Sequence, residues 1–340
     1  MSFIPLDIEK SRNIPRYFWH PSVVYIPEGF GGHKWWMAQT PYHPLVDIKP
    51  YQSRWELPCV YWSEDGIRWK SIPYNPVDDL TPEQIYSEDY LSDTHLVYHE
   101  GILELYYRLS LLKDKKLRDN KTLLFKRTSL DGIHWSSRKL IVDLRDKNDV
   151  SVWGEQVISP SIIWDGTQYL CWYVDSSSYI PQKGIRMISS SDGTNWGNST
   201  LCKLIDYTDM PWHIDVQKID GTYYLLCYGD KNRTLSLLTS IDGITWKYPR
   251  TILTASGERF SFYSDYIYRS CLVCKEDQFL IFFSGANRIR SYIGLLGTKD
   301  WKKFTPIYPR INYWYTIDII RLVVFKITNK IVKIFKHNDK

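Results

Sequence analysis

An all-β chain built as a five-bladed β-propeller, with a short basic amphipathic segment after it, is predicted by three features of the 340-residue sequence. First, the string Ser-x-Asp-Gly-x-x-Trp stands at 63–69, 129–135, 190–196 and 240–246, with a degenerate fifth copy, Thr-Lys-Asp-Trp, at 298–301. Second, each copy follows an apolar strand, a Gly or charged turn and an aromatic strand. The series is HPSVVY with HKWWMAQT, DTHLVYHEGILELYYRLS, SPSIIWDGTQYLCWYV, HIDVQKIDGTYYLLCYG and RSCLVCKEDQFLIFFSG. Third, residues 1–315 hold no long 3.6-residue period, so the repeats read as blades rather than as helical solenoid units.

Each Asp-Gly pair signals a tight turn, because Gly accepts positive φ, and the Trp after it covers the layer beneath; each copy therefore marks a hairpin at the outer end of a blade. The first strand of a blade lines the central channel, and residues two apart on it share a side. Aligning the five first strands places His20, Asp93, Ser159, His213 and Arg269 in one ring, with Ser22, His95, Ser161, Asp215 and Cys271 in a second ring two residues further on. Polar side chains thus occupy positions where a strand should enter apolar. An unpaired Asp or Arg is costly to bury, so the rings point to a ligand-binding mouth; the alternative is a structural network in which Asp93 or Asp215 pairs with Arg269.

Two connections between blades carry their own signals. Residues 73–90 (PYNPVDDLTPEQIYSEDY) predict a loop with one helical turn begun by Pro82 and capped by Thr81. Residues 144–155 (LRDKNDVSVWGE) predict a charged connection over the channel mouth, ending at Glu155.

Composition narrows the function. With 44% apolar and 24% charged residues the chain supports a large core, and its 15 Trp and 26 Tyr serve chiefly that core, with some free to stack on sugar rings. The net charge of +5 comes from the end of the chain, where Arg321, Lys326, Lys330, Lys333, Lys336 and Lys340 face only Asp339. The rest is neutral on balance, which argues against a nucleic-acid partner. The 6 cysteines read as buried thiols of a reducing compartment. No Gly-rich phosphate loop, zinc-protease motif or nucleophile elbow is present; no cofactor is expected, and a cation in the channel is left open.

The opening residues lack the basic and apolar regions of an export signal, and no apolar run is long enough to span a bilayer, so a cytoplasmic placement is expected. In the final segment, 316–340, Ile320, Val323, Val324, Ile327, Ile331, Ile334 and Phe335 fall on one face at 100° per residue, with Arg321, Asn329, Lys333 and Lys336 elsewhere. This predicts an interfacial helix on the anionic inner face of the cytoplasmic membrane, where lipid-linked saccharides for capsule or O-antigen are assembled; docking on a partner protein and a hairpin turning at Asn329-Lys330 are the alternatives.

The strings WHPSVVY, SDTHLVY, SPSII, PWHIDV and YRSCLV resemble the five-bladed glycoside hydrolase superfamily that includes families 43, 32 and 130, over residues 19 to about 301, and within it a bacterial group sharing those strings. The resemblance implies action on glycosidic bonds through acids at the inner ends of the first strands. Where family 43 has a base Asp before Pro, this chain has His20-Pro21, and where it has the acid Glu before Pro, Ser159-Pro160 stands, with Glu155 the nearest carboxylate. Asp93 matches the acidic position of blade two, while Asp215 has no close counterpart.

The expectation is therefore a glycosidase acting on a bacterial surface-type oligosaccharide or polysaccharide, with Asp93, Asp215 and Glu155 as its carboxyl groups and His20 and His213 as proton relays. Arg269, His95 and Ser159 are expected to bind substrate, Arg269 through a sugar carboxylate, with Trp19, Trp212 and Tyr268 beside sugar faces. A lectin-like propeller without catalysis is favoured by the substitutions at His20 and Ser159. A polysaccharide lyase using His and Tyr beside Arg269 is the third reading.

Overall fold

The computed structural model describes residues 3–11, 17–41, 56–87, 89–111, 121–175, 184–258, 261–287, 290–321, 323, 324 and 328. A two-residue strand, β1 (Asp7–Ile8), precedes blade one, which comprises β2 (Trp19–Phe30), β3 (His33–Thr40), β4 (Cys59–Ser63) and β5 (Arg68–Ser71). After α1 (Pro82–Tyr86), blade two holds β6 (Tyr90–His99), β7 (Ile102–Leu111), β8 (Lys121–Ser129) and β9 (Lys139–Asp143). After α2 (Lys147–Trp153), blade three holds β10 (Ile158–Trp164), β11 (Tyr169–Asp175), β12 (Gly184–Ser190) and β13 (Thr200–Leu201). Following β14 (Lys203–Leu204), blade four holds β15 (Pro211–Ile219), β16 (Thr222–Gly229), β17 (Thr234–Ser240) and β18 (Thr245–Thr254). Blade five is β19 (Tyr266–Lys275), β20 (Gln278–Ala286), β21 (Ser291–Thr298) and β22 (Thr305–Ile307).

Each blade is an antiparallel meander, and β2, β6, β10, β15 and β19 pack side by side around the axis until β19 meets β2. The predicted five-bladed propeller is the observed fold. The recurrent turn joins the third and fourth strands of its blade. In the first copy Ser63 Oγ accepts from the Gly66 N–H (3.0 Å), while Asp65 Oδ1 accepts from Ile67 (2.8 Å) and Arg68 (2.7 Å). Ser129 with Asp131, Ser190 with Asp192 and Ser240 with Asp242 repeat this pattern. Gly is required where blades touch: Gly132 has φ 77°, and a Cβ there would sit 2.1 Å from the Trp36 ring of blade one.

The aromatic richness is spent between blades. Five apolar layers fill the five gaps, with Trp36, Leu105 and Tyr107 between blades one and two, and Trp35, Tyr61 and Phe282 between blades five and one. The ring closes with both ends of the propeller: Leu6 donates to Ile293 O of blade five (2.9 Å), and β1 pairs in parallel with β5 of blade one. Asn312 donates to the carbonyls of Pro5 (3.4 Å) and Leu6 (3.0 Å) from the far end of the chain.

The predicted turn at Thr81 is α1, with a capping box in which Thr81 and Gln84 exchange hydrogen bonds. The connection over 144–155, read as a loop, contains α2, capped by the Asp146 side chain on Asn148 N–H (2.8 Å). The chain is helical over 313–321 and again at 323, 324 and 328, so the described residues take the helical alternative, and the Asn329-Lys330 turn and all later positions lie outside them. Among the described residues no helix is long and apolar enough to cross a membrane.

Candidate functional site

All five first strands lose register near their axial ends, between Trp19 and Ser22, Ser92 and His95, Ile158 and Ser161, Pro211 and His213, and Ile267 and Ser270. Three of the ring residues sit in these irregularities with left-handed backbones: His20 at φ 55°, Asp93 at 53° and Ser159 at 51°. For a residue with a Cβ this conformation is held at a cost of about 1–3 kcal/mol, and the bulge turns the side chain toward the axis.

Asp93 is the focus, and every blade sends a group to it. Its Oδ2 accepts from Arg108 Nε of its own blade and from the Ser159 N–H of blade three (3.0 Å). Facing Oδ1 are His213 Nδ1 of blade four and Arg269 Nη1 of blade five, each at 3.6 Å, and His20 Nε2 of blade one at 4.0 Å. Burial alone would raise the Asp93 pKa, but Arg108 and the groups around it outweigh that penalty and hold the carboxyl well below the usual range. Burial drives the histidines the other way, His20 to about 3 and His213 well below its ordinary value, so both imidazoles are neutral at physiological pH. His20 Nδ1 is fixed by Thr40 Oγ1 at 2.6 Å.

The second ring links the blades. Ser22 Oγ accepts from Leu96 N–H (2.9 Å), His95 Nε2 donates to Ile162 O (2.8 Å), and Ser161 Oγ accepts from Val216 N–H (2.8 Å). Asp215 Oδ2 accepts from Leu272 N–H (2.8 Å), and Cys271 Sγ from Val23 N–H (3.2 Å). Each residue thus bonds the first strand of the next blade, once around the ring. His95 and Asp215, read from the sequence as a substrate ligand and a catalytic acid, each form such a stitch between blades. Burial raises Asp215 to about 7 against the opposing pull of Leu272 N–H and Arg269. Ser159, read as a substrate ligand, also joins blades: its Oγ accepts from Ile214 N–H (3.0 Å).

Other expected residues are placed as follows. Arg269 is fully buried, bonded to Pro160 O (3.0 Å) and turned to Asp93, the pairing weighed as the alternative in the sequence. Trp19 is wholly buried and edge-on to Tyr268, so it supports that ring and presents no face of its own. Tyr268 and Trp212 remain half-buried, joined by a Trp212 Nε1 to Tyr268 hydroxyl bond (2.8 Å), and the Tyr268 ring lies 4.2 Å from His213 and 5.4 Å from His20. Glu155 is half-exposed and pairs with Lys121 at 3.8 Å.

Two charged residues went unread in the sequence. Arg108 lies in the aromatic strand LYYRLSL and is buried beside Asp93. Glu56 precedes β4; burial pushes it up to about 8 against Ser92 and Arg108, with Asp93 adding to the rise. Glu56 and Asp93 therefore both feel Arg108 while holding opposite protonation states at neutral pH. The legible signal for both was a lone charge inside an apolar run, WELPCVYW and LYYRLSL.

His20, Asp93 and His213 each offer one ligand atom, and these lie within 4.8 Å of one another. Asp93 Oδ1 and both nitrogens of His213 are buried without a hydrogen-bond partner among the described residues. Neutral imidazoles beside an ionised carboxylate form a donor set suited to a divalent cation, with Arg108 and Arg269 the opposing charges.

No protein-family model matches the sequence. The chain is 24% identical over 294 residues to a Flavonifractor plautii enzyme named as an A type blood N-acetyl-α-D-galactosamine deacetylase; the match takes in 74% of this chain and 37% of that protein, so it spans little over a third of the relative. The fold is similar to the crystal structure of an N-acetylgalactosamine deacetylase from F. plautii in complex with blood group B trisaccharide, at TM-score 0.65 and 19% identity, over 94% of this chain and 95% of that one. It is also similar to a β-xylosidase, at TM-score 0.59 and 11% identity, over 86% and 96% of the two chains. The expected resemblance to five-bladed sugar-processing propellers is thus found at the level of fold.

Proposed function

We propose that this propeller is a carbohydrate hydrolase that removes the acyl group from an N-acylated amino sugar within an oligosaccharide or polysaccharide of the bacterial surface type. The observation that carries this reading is the meeting of two neutral imidazoles, His20 and His213, with the ionised Asp93 at one buried point. A divalent cation held by these three would polarise the acyl carbonyl and lower the pKa of a bound water. Glu56, protonated up to about pH 8, is suited to hand a proton to the departing amine. Tyr268 and Trp212 offer the half-buried aromatic wall against which a sugar ring packs.

Glycosidic cleavage, the activity read from the sequence, is the second reading, favoured by the paired carboxyls of Glu56 and Asp93. It ranks lower because a carboxylate stabilised as strongly as Asp93 is a weak base and nucleophile, and Asp215 is committed to joining blades. The deciding assay incubates the protein with N-acetylated oligosaccharides and measures acetate and new reducing ends, before and after chelation and resupply of divalent metal. Acetate without new ends, lost in His213→Ala, is expected. New reducing ends without acetate would establish the second reading, an unsaturated product a lyase, and binding without product a lectin.

A further inference from the structure

We propose that the C-terminal helix docks the propeller on an anionic lipid surface. One side of this helix is spoken for. Asn312 Oδ1 accepts from Tyr315 N–H (3.0 Å), Tyr315 is buried against Tyr292, and Asp318 receives the Tyr292 hydroxyl (3.0 Å) and Arg290 Nε (2.9 Å). Ile319 joins the apolar layer between blades four and five. The other side faces away from the propeller and carries an apolar patch between Thr316 and Thr328: Ile320 is 56% exposed, Val324 56% and Val323 37%. Ile311 just before the helix, and Tyr313 and Trp314 in its first turn, are exposed as well, the last two 65% and 44%. An exposed apolar stripe led by Tyr and Trp is the composition of a helix lying at the level of lipid headgroups.

Charge selects the occupant. From Arg321 to the end of the sequence six basic residues stand against one acid, while the remainder of the chain is balanced. Arg321 lies 3.6 Å from Asp318, at the edge of the face that packs on blade five. A protein partner for an apolar stripe does not call for this excess, whereas a surface of anionic lipid does, and the attraction falls with ionic strength. The 3.6-residue period of the sequence runs on through Ile327 and Ile331, which lie outside the described residues.

The test uses the full chain and sedimentation with vesicles of mixed phosphatidylglycerol and phosphatidylcholine, compared with phosphatidylcholine alone. Binding to the mixed vesicles at low salt is expected, weakened about tenfold or more by physiological salt and near absent on the neutral vesicles. An Ile320→Glu and Val324→Glu double variant, altered only at exposed positions, keeps the parental melting temperature and loses sedimentation. A Lys326→Glu and Lys330→Glu variant weakens binding on the mixed vesicles. Failure of the parent to sediment at low salt overturns the proposal, as does retained binding in the double variant. Concentration-dependent self-association that the double variant abolishes, without vesicle binding, would assign the stripe to a second copy instead. None of these readouts depends on the sugar chemistry of the channel.

Discussion

Replacing Glu56 with Gln removes one titration from the folded protein and leaves the shape of the side chain. Burial places the Glu56 carboxyl at about 8 against an ordinary 4.5, so its ionised form is disfavoured in the fold and not in the unfolded chain. As pH rises through 4.5 the unfolded chain loses this proton first, and the native state is progressively destabilised until its own carboxyl ionises near pH 8. The stabilisation tied to this proton is complete below pH 4.5 and drained by up to about 4 kcal/mol at pH 8, three and a half pH units at about 1.36 kcal/mol each less the part already ionised. Asp215, raised in the same direction, drains both proteins alike and cancels in the comparison. Urea unfolding at intervals from pH 4.5 to 8 should show the parent losing ground on Glu56→Gln by most of that amount, with the variant the more stable at the alkaline end. Turnover of the variant should fall by about a hundredfold or more, as for a lost general acid. Parallel stability curves across this range would refute the burial argument, and unchanged turnover would remove Glu56 from the chemistry.

Asp93→Asn should abolish turnover and lower stability by about 3–5 kcal/mol, because Arg108 and Arg269 are left buried without their counter-charge; a urea midpoint close to the parent's would contradict the pairing. Asp215→Asn keeps an acceptor for Leu272 N–H, so turnover should stay within a few-fold and stability within about 1.5 kcal/mol of the parent. Loss of turnover in that variant, with its melting curve intact, would return Asp215 to the reaction. Gly132→Ala should cost about 2–4 kcal/mol in thermal or urea unfolding, since its φ of 77° and the Trp36 ring 2.1 Å from a Cβ both oppose a side chain; a neutral result would mean that the ring yields.

The propeller was legible because its turns repeat, and a repeated turn fixes the phase of every strand around it. Phase also places His20, Asp93, His213 and Arg269 at the axis, which is where they stand. Phase does not say what a ring residue bonds. Asp93 and Asp215 look alike along the sequence, yet the first gathers charges across the channel and the second holds a neighbouring blade's amide. Positive φ sets His20, Asp93 and Ser159 of the first ring apart from the second ring, and no residue type announces it, since none of the three is Gly. Glu56 was hidden for another reason: it lies in a connection, where period-based reading has nothing to align, and its burial depends on strands far along the chain.

The five stitches make a hoop with an uneven clasp. Four use oxygen or imidazole between blades adjacent in sequence; the fifth uses the Cys271 thiol, a poor acceptor, to join residues 248 positions apart. That seam is also bridged by the first residues of the chain, which touch blade five through Leu6 and blade one through β1. The Asp93 cluster draws His20 from one side of the seam and Arg269 from the other. Assembly of that cluster therefore requires the hoop to be shut. A propeller opened at its clasp no longer assembles the cluster, so under the proposed function turnover would serve as a local gauge of ring closure.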